Sequence, residues 1–343
     1  MTVLAVATDH TNALWNIPGF AAASTGTYPH YTTTSSFFDS AFVRCAFVAD
    51  NPDGCPIIDL GSNQTDFWLH FDFYIGTNAV TAGTAMLEFW SESQTLQLGL
   101  VENATGIVYD FRKSTNGSSF AAALAGTFTV TALALKTVDI HVKIHGSTGE
   151  ITAYVDGVSA YTYTGDTSTN GDNAVRYIIF RGGRVGSFRY VSQMIAADVS
   201  TVGWKAQSIA PITGAQDFSG WTGTYAEIDD VTSSGVDSVY TDTVDATVSF
   251  PIGDVASAAS SAGMVIQAVQ VTGKFLAETG ASAENVDLGF SLSGVFWGSG
   301  TKSVGAQNGE VLAQHIFQNN PSNGSGWDYT TLNAAQVALK AKA

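Results

Sequence analysis

Charge is scarce in this chain. Of 343 residues only 13% are Asp, Glu, Lys or Arg, and the balance is one-sided: 14 basic against 30 acidic residues, a net charge of −16. Nucleic acid is excluded as a partner on that ground, because a phosphate backbone is held by Lys and Arg that displace its counterions. The same acidity disfavours an anionic bilayer surface. Long apolar runs are missing as well. None approaches the roughly 18 residues that a spanning helix requires, so no membrane insertion is expected. The first residues, "MTVLAVATDHTN", have neither a basic n-region nor a sustained apolar stretch, which predicts no secretory leader and synthesis in a cytoplasm. Cysteine is limited to Cys45 and Cys55. No Cys-x-x-Cys pair and no His/Cys cluster offers a zinc site, and no metal or cofactor is expected. A hairpin across "AFVADNPDG" would bring the two thiols together; a reduced buried pair is the reading that a cytoplasm favours.

What is present is apolar residues at 45%, aromatics at 11% and 35 glycines, too hydrophobic for disorder and suited to many short strands and turns. Period two dominates. In Asp66–Ile75, "DFWLHFDFYI", the odd positions are all large and apolar while the even ones mix aromatic with polar groups, the pattern of a half-buried strand. The run from Val138 to His145, "VDIHVKIH", repeats it with apolar residues at even positions, then breaks at "GSTGE". In the return arm "ITAYVDGVSAYTYTG", Asp156-Gly157 suits the positive φ angles of a tight hairpin turn. Downstream, Val286, Leu288, Phe290 and Leu292 share one strand face. Asp328 or a following Thr caps a short helix through Leu332 and Ala335. The chain exceeds what one core usually serves. The expected fold class is all-β: two antiparallel β-sandwich (jelly-roll-like) domains, residues 1–205 with an N-terminal arm and residues 206–343, plus one short C-terminal helix.

Several residues invite a functional reading. Glu227 and Asp229 in "GWTGTYAEIDDV" alternate on a strand-like run as the carboxylates of a retaining β-glucanase do, but Val231 and Thr232 stand where a second acid/base carboxyl would be needed. No catalytic residue is therefore expected, and the chain is read as a non-enzyme. Asp166, Ser168, Asn170 and Gly171 imitate the start of a calcium loop, yet Tyr177 occupies the position of the bidentate Glu. A polar turn is the simpler account. His141 and His145 fall on one face of a strand about 13 Å apart, too far to share a metal, and read as solvent-facing or interface residues. Trp68 and Tyr74, on the exposed side of their strand, are candidates for stacking on a sugar ring.

Two resemblances follow from these residues. "TVDIHVKIHGSTGEITAYVDGVSAYTYTGD" resembles the central hairpins of concanavalin A-like and laminin G-like sandwiches, over roughly residues 35 to 205. That fold hosts lectins, glycosidases and structural modules alike. The succession "GWTGTYAEIDDV", "DSVYTDT", "IQAVQVTGKF" and "NNPSNGSGWDYTTLNAAQVAL" resembles virion structural proteins of tailed bacteriophages, with Ala338-Leu339 where that family has Gly-Val. The resemblance implies a structural component of a phage particle, in the tail tip or fibre apparatus, assembled in the host bacterial cytoplasm. It implies a homo-oligomer, a trimer as phage fibres commonly are, joined to other phage structural proteins and to host-surface polysaccharide. A glycan-binding receptor lectin and a capsid decoration protein or head fibre are the alternatives. Trp327, after "NGSG", is expected to close the open end of the second sandwich. The mean hydropathy of +0.13 together with sparse charge implies a surface partly covered by neighbouring subunits.

Overall fold

The computed structural model describes residues 1–7, 43–45, 57–75, 83, 85–103, 107–169, 171–181, 189–206, 209, 211–216, 220–227, 238–255, 264–275, 282, 284–304 and 311–343. The chain divides into two units, Met1–Ala206 and Gln207–Ala343.

In unit one the strands run β1 (Val3–Ala7), β2 (Val43–Cys45), β3 (Ile57–Gln64), β4 (Asp66–Ile75), β5 (Ala85–Trp90), β6 (Leu96–Glu102) and β7 (Val108–Ser114). They continue as β8 (Phe120–Ala123), β9 (Phe128–Thr129), β10 (Leu135–Lys143), β11 (Gly149–Val155), β12 (Val158–Gly165), β13 (Val175–Phe180) and β14 (Arg189–Ala197). One seven-stranded sheet has the order β1-β14-β4-β10-β11-β12 with β2 beside β14; the other has the order β3-β13-β5-β6-β7-β8 with β9 beside β7. All of these pairings are antiparallel.

Alternation drives the stacking of the two sheets. The odd residues of β4, Phe67 through Ile75, are 0% exposed and meet Leu87, Phe89, Leu98, Leu100, Phe111 and Phe180 of the other sheet. Phe71 meets Phe180 edge-on at 5.3 Å. Each such ring removes apolar surface worth about 1.5–3 kcal/mol from water. Between β11 and β12 the two-residue turn has Asp156 at φ 52° and Gly157 at φ 76°, both in the left-handed region. These are the angles of the turn type that matches the twist of a hairpin.

Unit two contains β15 (Thr247–Pro251), β16 (Val269–Phe275), β17 (Asn285–Leu292), β18 (Val295–Ser303), β19 (Val311–Phe317), helix α1 (Tyr329–Asn333) and β20 (Gln336–Lys342). The order β15-β20-β17-β18 forms a four-stranded sheet, and β16 pairs with β19. Val286, Leu288, Phe290 and Leu292 of β17 form one cluster with Val271 of β16 and Ala313 and Phe317 of β19, so the two sheets share a core. Gly289 permits the close approach of β18, since a Cβ there would lie 2.1 Å from the Trp297 carbonyl oxygen.

Two local expectations change. Asp328 caps α1, its carboxylate accepting from the Thr331 N–H at 2.8 Å, but the helix ends at Asn333 and does not reach Ala335. The residues after it form a central strand that pairs with both β15 and β17. Nor is "GWTGTYAE" a strand: Tyr225–Glu227 is a single 3-10 turn, entered through Gly220 and Gly223, each at φ 109°. Asp229 and the pairing of Cys45 with Cys55 lie outside the described residues.

Candidate functional site

Because the odd residues of β4 and the even residues of β10 point into the sandwich, the opposite parity must face outward. Register then sets these outward residues in rows. Asp66 stands beside Lys143, Trp68 beside His141, His70 beside Asp139, Asp72 beside Thr137 and Tyr74 beside Leu135. On the next strand, β11, Glu150 flanks Lys143, Thr152 flanks His141 and Tyr154 flanks Asp139.

The first two rows are open. Trp68 and His141 stack with ring centroids 4.8 Å apart and planes within 15°, and Tyr154 leans over from the next row at 5.8 Å. His141 Nε2 lies 2.8 Å from Asp66 Oδ1, and its Nδ1 is 3.8 Å from Glu150 Oε1. An ionised carboxylate only accepts, so the Nε2–H donates to Asp66. Thr152 Oγ1 donates to Glu150 Oε1 at 3.2 Å. The imidazole is only 16% exposed, whereas Asp66 and Glu150 are 53% and 42% exposed. Aromatic surface is thus bracketed by two carboxylates whose remaining lone pairs face water. Such a surface can receive the apolar face of a sugar ring on the aromatics and its hydroxyl hydrogens on the carboxylates.

The third row is closed. His70 and Asp139 are 1% and 0% exposed, and Thr201, from the segment that follows β14, is 0% exposed. Asp139 Oδ1 lies 2.9 Å from His70 Nδ1 and accepts from Thr201 Oγ1 at 2.8 Å. In the fourth row Thr137 Oγ1 donates to Asp72 Oδ1 at 2.9 Å. Burial raises the Asp72 carboxyl above its ordinary value, against the lowering effects of Thr137, His70 and Lys205.

The outer side of the other sheet carries charge in closed pairs. Arg181 donates to Glu88 at 2.8 Å, and Trp90 Nε1 donates to the same carboxylate oxygen at 2.9 Å. Arg176 grips Asp59 through two bonds of 3.0 and 3.2 Å, and Arg112 grips Asp110 at 2.7 and 3.3 Å. These guanidiniums hold the protein's own carboxylates and act as struts.

Of the residues singled out in the sequence, Trp68 and His141 come together. Tyr74 does not join them: it sits three rows away and is 7% exposed, so it offers no stacking face to a ligand, contrary to its reading as an exposed aromatic. His145 also parts from His141. β10 ends at Lys143, and His145 lies in the following turn, where its Nδ1 accepts the N–H groups of Ser147 and Thr148 at 3.1 Å each. Glu227 is a local cap, its Oε2 accepting from Thr224 N and Oγ1 at 2.6 Å each. Asp166 accepts from Lys113 Nζ and from the Ser168 N–H, closing a polar turn. Trp327 is in unit two, 5% exposed, with Nε1 donating to the Phe317 carbonyl at 3.0 Å. Sequence reasoning missed His70, Asp139, Tyr154 and Thr201. Alternation already puts the first two on the polar side of their strands, but no local signal pairs residues 69 positions apart. Among the described residues no group of three or more His, Cys, Asp or Glu is arranged to hold a metal ion, and no helix is long and apolar enough to cross a membrane.

No protein-family model matches the chain, and no curated protein matches it. Among solved structures, the endo-β-1,4-glucuronan lyase of the fungus Trichoderma reesei is similar over 58% of this chain and 98% of that one, at 14% identity and a TM-score of 0.42. A carbohydrate esterase from the Shiga toxin-encoding bacteriophage phi24B is similar over 57% of this chain and 97% of that one, at 11% identity and 0.37. Botulinum neurotoxin type C, whose cell entry depends on interaction with two ganglioside molecules, is similar over 58% of this chain and 48% of that one, at 11% identity and 0.40. At such values, function has to be read from this chain's own side chains.

Proposed function

We propose that the chain is a structural component of a tailed-bacteriophage particle, in the tail tip or fibre apparatus, and that unit one holds host-surface polysaccharide on the Trp68–His141 face. The observation that carries the attachment role is the stacked pair itself, bracketed by the exposed carboxylates of Asp66 and Glu150. A sugar needs both elements: an aromatic surface for its C–H face, and acceptors fixed beside that surface for its hydroxyls. His141 supplies the fixing, because its ring is held between Trp68 and the Asp66 carboxylate. The particle role rests on the resemblance of the C-terminal segments to tailed-phage virion proteins, and the sparse charge of the chain agrees with a surface shared among subunits. No hydrolytic role is assigned to Glu227, whose carboxylate is occupied in closing its own turn.

Immunogold labelling of purified particles with antibodies against the full chain tests the placement. Label at the distal end of the tail is the expected result. Label spread over the capsid would favour the head-fibre or decoration reading, and particles without label would remove the virion assignment.

A further inference from the structure

The polar rows do not stop at the open stack. About 7 Å further along the strands, two residues at roughly 3.4 Å each, His70 and Asp139 continue the same outer face of β4 and β10 with the same kinds of side chain. That row is buried because the segment 198–206 lies across it. The cover is light. Thr201 Oγ1 donates to Asp139, and the Ala206 N–H donates to Gln193 Oε1 at 3.3 Å. Trp204 N–H donates to the Thr201 carbonyl at 2.8 Å to form the turn between them, and Val202 reaches the hairpin turn at Gly157.

Proton placement makes the covered row unusual. Asp139 Oδ1 accepts from Thr201, and as a carboxylate oxygen it also accepts from His70, which puts a proton on the imidazole Nδ1 and leaves Nε2 outside that bond. His70 Nε2 and Asp139 Oδ2 are both buried and have no hydrogen-bond partner among the described residues. Two buried polar atoms left unsatisfied are unfavourable. What such a pair needs is a ligand that brings hydroxyl groups, which donate to Asp139 Oδ2 and can pair with Nε2 as donor or acceptor, and hydroxyls are also what the neighbouring open row is built to receive.

We propose that residues 199–206, hinged at Asp198, are a displaceable strap over a second glycan subsite, in which His70 Nε2 and Asp139 Oδ2 hydrogen-bond the hydroxyls of a neutral oligosaccharide long enough to extend past the Trp68–His141 stack. The inference rests on the glycan reading of that stack. A short ligand occupies the open row alone and leaves the strap in place. A longer one trades the Thr201–Asp139 and Ala206–Gln193 bonds for hydroxyl partners to both orphaned atoms. Uronic acid polymers are poor candidates, since their carboxylates would have to approach Asp66, Glu150, Asp139 and Asp72 on a chain of net charge −16.

The test uses the full chain and two lengths, the disaccharide and the hexasaccharide, of the cello-, laminari- and chito-oligosaccharide series, measured by isothermal titration. Thr201→Val removes the strap's hydroxyl and keeps its volume. For a series that the wild type binds, it is expected to tighten hexasaccharide binding about tenfold, equivalent to about 1.4 kcal/mol, with disaccharide binding unchanged. Adding His70→Ala is expected to abolish that gain. Hydrogen exchange on the wild type gives the same answer without a substitution: the amides of residues 199–206 should exchange faster with hexasaccharide bound. If Thr201→Val leaves the length dependence unchanged and bound hexasaccharide slows exchange in 199–206, the strap is a fixed part of the fold and the inference is wrong, while the Trp68 site stands. If no oligosaccharide binds either the wild type or Thr201→Val, the glycan reading falls and the strap with it.

Discussion

Trp327 joins parts of unit two that are distant in sequence. Its ring meets Phe290 of β17 at 5.2 Å, and its Nε1–H donates to the Phe317 carbonyl at the end of β19. Its neighbour Asp328 caps α1. Truncation removes the ring contact and orphans that carbonyl, so Trp327→Ala should destabilise unit two by roughly 3–5 kcal/mol. Unit one should keep its fold. Limited proteolysis of the variant should leave a resistant fragment ending near Ala206, and a melt identical to the wild type would contradict the packing argument. His315 gives a second residue-level expectation. Burial, reinforced by Lys302 and opposed by Asp287, holds its imidazole below the ordinary value of 6.5. The unfolded chain therefore takes the proton first. The stabilisation is complete above about pH 6.5 and is lost as pH falls from there toward the lowered folded value. The thermal transition of unit two should drop between pH 7.5 and 5.5, and His315→Gln should flatten that drop. An unchanged pH profile in the variant would assign the titration elsewhere.

At the scale of elements, the β11–β12 hairpin depends on its turn. Gly157→Ala has room for the added carbon, the nearest atom being Val202 Cγ1 at 3.9 Å, so its cost is that of a left-handed backbone, about 1–2 kcal/mol. A lowered melting transition of unit one is expected, and an unchanged one would mean that the turn tolerates side chains. This hairpin was legible in the sequence, as were the inward faces of β4, β10 and β17, because a period of two and an Asp-Gly pair are local signals. β20 was not. Ala, Leu, Lys and Gln in "AQVALKAKA" are good helix formers, yet the segment is held as a strand by partners on both sides, a tertiary effect that overrides propensity. "GWTGTYAE" failed in the opposite sense: alternation suggested a strand, while left-handed glycines and the Glu227 cap close a turn. The candidate site was half legible. Trp68 and His141 stood out by type, but the rows that join them to Asp66, Glu150, His70 and Asp139 are set by register between strands far apart in sequence.

Across the whole molecule, the unusual features are low charge and strong acidity. Our proposal of a trimeric particle component predicts that the purified chain self-associates, with light scattering coupled to size exclusion giving about three times the chain mass. A compact monomer at high concentration would count against assembly through this chain alone. The central claim is attachment through the outer face of β4, β10 and β11, and calorimetric titration of the full chain with soluble host-surface polysaccharide tests it most directly when Trp68→Ala is run beside the wild type. The account predicts saturable binding by the wild type and at least about a tenfold loss in the variant, equivalent to about 1.4 kcal/mol, with both proteins melting alike. Equal affinity in the two proteins, or no binding by the wild type to the polysaccharide of a host the particle infects, would contradict it.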